Sequence, residues 1–90
     1  MKLSIVIPAY NEEKNISETI KAVLAQDYPN FEVIVVNNAS TDNTAEVAGK
    51  FPVKVVTEMR KGLLWARECG RQNASGEIIV NIDADCLPSA

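Results

Sequence analysis

An α/β fold on a Rossmann-like, mostly parallel sheet with flanking helices is the class this sequence predicts, from three observations. Four short β-branched apolar runs alternate with three stretches of helical periodicity. The strand-like runs are continuously apolar, as strands covered on both faces are. The densest polar clusters stand directly after such runs, at "PAYN", "NNAS" and "DAD".

The elements follow in order. "KLSIVIP" is the first strand and Pro8 ends it. A helix is expected over 11–26, where Ile16, Ile20, Val23 and Leu24 recur at helical spacing. Asn11 is its expected N-cap, with Glu12 and Glu13 in the first turn against the helix dipole. Tyr28-Pro29-Asn30 makes a turn into the second strand, "FEVIVVN". A shorter helix over 41–49 follows, capped by Ser40 or Thr41, with Ala45, Val47 and Ala48 facing inward. "PVKVVT" is shorter and suits an edge strand. The helix over 62–73 carries Ala66 and Gly70, continued by Ala74, a small-residue stripe that allows close approach to a sheet. "GEIIVNID" is the fourth strand. This alternation implies parallel strands joined by right-handed crossovers.

Composition narrows the function. Ninety residues allow one domain at most. A net charge of −3 argues against nucleic acid or an anionic membrane as partner. Histidine is absent, which removes Ser-His and Cys-His catalysis and His-ligated zinc. Cys69 and Cys86 fit no metal spacing and read as reduced thiols. "LSIVI" is too short for a signal segment or a membrane span, so a cytoplasmic chain is expected, any anchor lying beyond residue 90.

In parallel sheets ligands bind beyond the carboxyl ends of the strands. All the polar clusters fall there. Asp83 and Asp85 stand two apart, so extended backbone projects both carboxylates to one side. Two such acids repel unless a cation relieves them, and hard oxygen ligands suit Mg²⁺ or Mn²⁺. A DxD triplet alone is more simply two acids in a solvated loop; its place after an apolar strand favours a site. Asn11, Glu12 and the residues of "NNASTDNT" are adequate as turn and cap residues. Asn37 and Asn38 also suit a base edge, and Tyr10 a flat ring. Arg67 and Arg71, one helical turn apart, form a solvated basic face or meet a diphosphate. Trp65 reads as core, or as an interface residue.

Together, "SIVIPAYNEEKNI", "FEVIVVNNASTDNT" and "KGLLWARECGRQNASGEIIVNIDADC" resemble the inverting family 2 glycosyltransferases of the GT-A fold, from Ser4 to Pro88. The resemblance implies sugar transfer from a nucleotide-diphosphate donor to a sugar or lipid acceptor, with a divalent metal at the DxD. It matches Pro8, Ala9, Tyr10 and Glu12 to the loop bordering the nucleoside. Asn38 matches the base-contacting residue, Arg67 the donor-side arginine, and Asp83 and Asp85 the acidic pair at ribose and metal. Asp85 ranks ahead of Asp83 as direct metal ligand. Residues 1–90 then form the donor-binding half of the domain, cut after the DxD.

Two departures bear on this. Many members carry Asp-Asp or Asp-Asn where this chain has Asn37-Asn38, which leaves uridine versus guanosine open, although an Asn carbonyl still accepts from a ring N–H. The family's acceptor half and general base follow the DxD, so no catalytic residue is expected in this stretch, and alone it is expected to be inactive. Self-association through surface left bare around Leu64, Trp65 and Ile79 is expected too. The main rival is a nucleotide-binding or regulatory module without catalysis. A nucleotidyltransferase fits poorly, because "PAYNEEKN" is no glycine-rich basic loop, and a dehydrogenase fits worse, because no GxGxxG follows any strand.

Overall fold

Each apolar run becomes a strand. The computed structural model describes residues 2–27 and 30–83. Tyr28, Pro29, Asp85 and Cys86 therefore lie outside the described residues, and with them part of the expected turn and half of the acidic pair. The order is β1 (Leu3–Ala9), α1 (Ile16–Leu24), β2 (Phe31–Asn37), α2 (Thr44–Ala48), β3 (Lys54–Thr57), α3 (Leu63–Asn73) and β4 (Ile78–Asn81). The four strands pair in parallel in the order β3-β2-β1-β4. The chain thus builds outward from β1 to β3, then crosses back to place β4 on the other side of β1. That reversal makes the β1–β4 boundary the topological switch point.

Burial explains the apolar runs of β1 and β2. Ile5, Ile7, Ala9, Val33 and Val35 face Ile16, Ile20 and Val23 of α1 and Ala48 of α2. Val6, Ile34 and Val36 face the opposite side, against Ala66 and Cys69 of α3. Each fully buried Ile or Val contributes about 1.5–3 kcal/mol, so these central strands carry most of the fold's stability. The small-residue stripe does what its composition implies. A Cβ on Gly70 would stand 3.0 Å from Val6 Cγ2 and closer still to Cγ1, so α3 approaches β1 as closely as glycine permits. Burial pushes the Cys69 thiol up, which keeps it a protonated core residue.

Four local expectations are corrected. Asn11 does not cap α1; it sits at φ 52°, and the helix starts only at Ile16 with Asn15 in the capping position. Glu12 and Glu13 consequently precede the helix, and Glu18 is the acid of its first turn. Neither Ser40 nor Thr41 caps α2; Asp42 Oδ1 accepts from Thr44 N at 3.0 Å. β4 is exposed along its length rather than covered on both faces, because it is an edge strand and α3 packs on β1 and β2. Of the two readings of Trp65, core is the one that falls: the ring is 43% exposed, with Arg60 over it. Among the described residues no helix is long and apolar enough to cross a membrane.

At the amino end of the sheet, away from the polar clusters, Glu32 ties β2 to β1 and to the segment leading into β4. Its Oε2 accepts from Ser4 Oγ and Ser75 N, each at 2.6 Å, and from Ser75 Oγ at 3.0 Å. Ser4 Oγ in turn accepts from Gly76 N at 2.7 Å, and a Cβ on Gly76 would meet Lys2 O at 2.8 Å. Burial alone would raise the carboxyl pKa, but these donors and Lys2 outweigh it and hold Glu32 at about 2, below the usual 4.5. Because the folded value is the lower one, the stabilisation is complete above pH 4.5 and is lost as pH falls toward about 2. Glu32→Gln is expected to cost about 2 kcal/mol at neutral pH and to flatten that acid limb. Urea unfolding across the window checks it; an unchanged acid limb in the variant would remove Glu32 as its source.

Candidate functional site

Parallel pairing brings the polar clusters to one edge. Ala9 pairs with Asn37, Asn37 with Thr57, and Val6 with Asn81, so the carboxyl ends of all four strands point the same way. Two loops there are zipped together by contacts about thirty residues apart in sequence. Asn11 N donates to Ser40 Oγ at 3.0 Å, and Asn11 Oδ1 accepts from Thr41 N at 2.8 Å. Glu12 N donates to Thr44 Oγ1 at 2.9 Å and Glu13 N to Asp42 Oδ2 at 3.3 Å. Asp42 is desolvated, but its donors prevail and its pKa falls. The left-handed backbone at Asn11 and Ala39 is what lets the loops interlock.

Asn38 joins a third loop to these two. It is 5% exposed, and its backbone N–H donates to Ala9 O at 2.8 Å. Its Nδ2 donates to Glu58 O at 3.0 Å and to Arg60 O at 2.8 Å, while Oδ1 accepts from Gly62 N at 2.9 Å. Both amide hydrogens are engaged, so what Asn38 has left for a ligand is the second lone pair of Oδ1. Gly62, at φ 131°, occupies backbone that other residues rarely adopt. Glu58, 8% exposed, is held at about 2, first by hydrogen bonds from the Arg60 side chain and then by the Arg60 N–H.

Between the loops lies a concavity. Pro8, Ala9, Tyr10, Asn38, Leu63 and Ala66 line an inner recess of about 130 Å³. Tyr10, Asn38, Lys61, Gly62 and Leu63 line an adjoining cleft of about 380 Å³. The Tyr10 ring is 46% exposed, with Lys61 Nζ 5.5 Å from its centroid. α3 starts at this cleft without an acidic residue in its first turn. Lys61 and the helix dipole together favour an anionic ligand, while the Arg60 charge is taken up by Glu58.

The sequence-predicted residues divide accordingly. Pro8, Ala9, Tyr10 and Asn38 meet in one recess. Glu12 does not line it; its Oε2 accepts from Asn15 Nδ2 at 3.2 Å. Arg67 is exposed and faces a separate cleft of about 280 Å³ between α3 and β4, with Leu64, Glu68, Arg71, Ile79 and Asn81. Asp83 is exposed just past β4, at the same edge of the sheet as Tyr10. Among the described residues no group of three or more His, Cys, Asp or Glu side chains is placed to hold a metal. Sequence reasoning noted the two basic residues before the glycine of "TEMRKG" but missed Glu58; an acid two residues before an arginine was the available signal.

Comparison with known proteins agrees with this architecture. The chain is 37% identical over 94 residues to glycosyltransferase AglE of Haloferax volcanii, covering 96% of this chain and 31% of that protein. It superposes on the mannosyltransferase PcManGT of Pyrobaculum calidifontis, solved with GDP-Man and Mn²⁺, with a TM-score of 0.90 at 37% identity. That match covers 98% of this chain and 28% of the neighbour. Residues 1–349 of Staphylococcus aureus TarS in complex with UDP give a TM-score of 0.86 at 34% identity, over 94% of this chain and 28% of that fragment. The chain thus spans a third or less of the length of these relatives. The sheet and helices match those of GT-A glycosyltransferases. The profile of Glycosyl transferase family 2 matches residues 4–90, and the chain belongs to that family.

Proposed function

We propose that these residues are the donor-binding part of an inverting glycosyltransferase, with acceptor site and catalytic base supplied from outside them. One observation carries the reading. The recess and cleft around Tyr10, Asn38 and Lys61 open at the carboxyl edge of a sheet shared, at 34–37% identity, with proteins solved holding UDP or GDP-Man. Tyr10 and Leu63 offer apolar surface to the nucleoside. Asn38 fixes the far loop and offers one carbonyl lone pair to a base N–H. Lys61 and the α3 terminus supply positive charge for the diphosphate, and Arg67 is proposed for the part of the donor that reaches the cleft between α3 and β4. Asp83 and Asp85 are proposed for ribose and for a divalent cation, Mg²⁺ or Mn²⁺. Their hard oxygens suit either ion, and both ions leave coordination sites to phosphate. Such a cation, when bound, offsets charge on the departing nucleoside diphosphate.

The acceptor hydroxyl, deprotonated by a base outside this chain, attacks the anomeric carbon. The carbon–oxygen bond to the diphosphate breaks and configuration inverts. Absence of a positioned base costs roughly 10²–10⁴-fold in rate, and lost orientation costs more. The chain by itself should therefore bind donor and transfer nothing. Assaying it beside the longer product proposed for its reading frame, with labelled UDP- and GDP-sugars and sugar and lipid acceptors, tests this. Transfer by the ninety-residue chain would refute the placement of the base. No transfer by the longer product would favour a non-catalytic nucleotide-binding module.

Self-association is a second expected result. Leu64 is 80% exposed and Ile79 38%, beside the edge of β4 that no strand pairs among the described residues. Such an edge and patch invite pairing with a second copy. Light scattering should show mass rising with concentration; a soluble monomer at high concentration would contradict it.

A further inference from the structure

The loop that walls the cleft is held by groups to which the proposed function gives no part. Glu58 Oε2 accepts from Arg60 N at 2.9 Å and Nε at 3.1 Å, while Oε1 accepts from Nη2 at 2.8 Å. The same guanidinium lies over Trp65, with Cζ 3.9 Å from the ring centroid. Acid, guanidinium and indole thus close residues 58–65 on themselves, and the bonds of Asn38 to Glu58 O, Arg60 O and Gly62 N fall inside that closure. An exposed ion pair contributes little, but here the Glu58 side chain is only 10% exposed and its partner is stacked. The acid is therefore bound to this arrangement: losing Arg60 would strand a buried carboxylate.

We propose that Glu58 is a positioning residue for nucleotide recognition, clamping Arg60 against Trp65 so that Lys61, Gly62 and Leu63 hold the wall of the cleft they share with Tyr10. The inference rests on the nucleotide-binding reading of that cleft. Its logic is one of population. A loop that samples several conformations presents the competent wall for a fraction of the time, and apparent affinity falls by that fraction. A residue with a merely structural role would lower the melting temperature and leave the affinity of the folded protein unchanged.

Calorimetric titration of GDP and of UDP with Mn²⁺ into the wild-type chain, Glu58→Gln and Trp65→Leu separates the two. It is run at a temperature where circular dichroism shows each variant folded. Glu58→Gln should bind about tenfold more weakly, and Trp65→Leu about two- to fivefold more weakly. Trp65 is the single tryptophan, so acrylamide quenching reports the clamp directly. In Glu58→Gln the indole should be more accessible than in wild type, and protected again at saturating nucleotide. Wild-type affinity and wild-type quenching in folded Glu58→Gln would overturn the proposal. If that variant does not fold, unchanged affinity in Trp65→Leu would overturn it. A wild-type chain that binds neither nucleotide fails in its own arm, and there the reading of the cleft falls first.

Discussion

Gly70→Ala should destabilise the fold by about 1–3 kcal/mol, although alanine is the better helix former. The sign is the test. Helix propensity alone would make the substitution stabilising by about 1 kcal/mol, because Gly70 lies inside α3. Packing opposes this, since the new methyl would meet both Cγ atoms of Val6, itself fully buried in β1 and β-branched. A stiff side chain between α3 and the sheet has no free rotamer to move into. Relief must then come from shifting the helix off β1, at the expense of the Ala66 and Cys69 contacts. Val6→Ala removes the obstructing methyls, so the double variant should be more stable than the two single losses add up to. Urea unfolding of the four proteins in the cycle measures this. A Gly70→Ala chain as stable as wild type would mean that α3 does not sit this close to β1.

Tyr10→Ala should weaken binding of UDP and GDP roughly 5- to 150-fold, the range expected when one aromatic stacking partner of a base is lost. Tyr10 is the exposed aromatic residue common to the recess and the cleft, and β1 fixes its position because Ala9 before it is buried and paired. Removing the ring should change affinity with little effect on stability, because it is half-exposed. Tyr10→Phe should keep most of the affinity, since stacking needs the ring. Equal loss in Phe and Ala variants would reassign the contribution to the hydroxyl. Calorimetry with both nucleotides distinguishes these results.

How much of this was legible in the sequence depends on the range of the interactions. The strands were, because apolar runs in β1 and β2 report burial on two faces residue by residue. The Ala66–Gly70 stripe was, because small residues one turn apart signal close approach. The loops were not. Asn11 has the composition of a helix cap, yet its partners are Ser40 and Thr41, and only the packed loops reveal them. Asn38 reads as a free amide after a strand, yet its hydrogens go to carbonyls twenty and more residues on. Trp65 reads as core or interface from its residue type alone, and only the fold shows it exposed with a neighbouring guanidinium over its ring. Exposure of β4 was hidden for a similar reason: an apolar strand at a bare edge has the same sequence as one in the middle.

Titration of Mn²⁺ into the chain with and without UDP or GDP, followed by water-proton relaxation, tests the proposed donor site most directly. Two carboxylates, proposed at Asp83 and Asp85, would leave most of the coordination sphere to water and phosphate, so the cation should bind weakly alone and more tightly with either nucleotide present. By linkage, the metal should tighten nucleotide binding by the same factor. Asp85→Ala should abolish this mutual enhancement. Equal Mn²⁺ affinity with and without nucleotide, or an Asp85→Ala chain that behaves as wild type, would contradict a donor site at the carboxyl edge of this sheet.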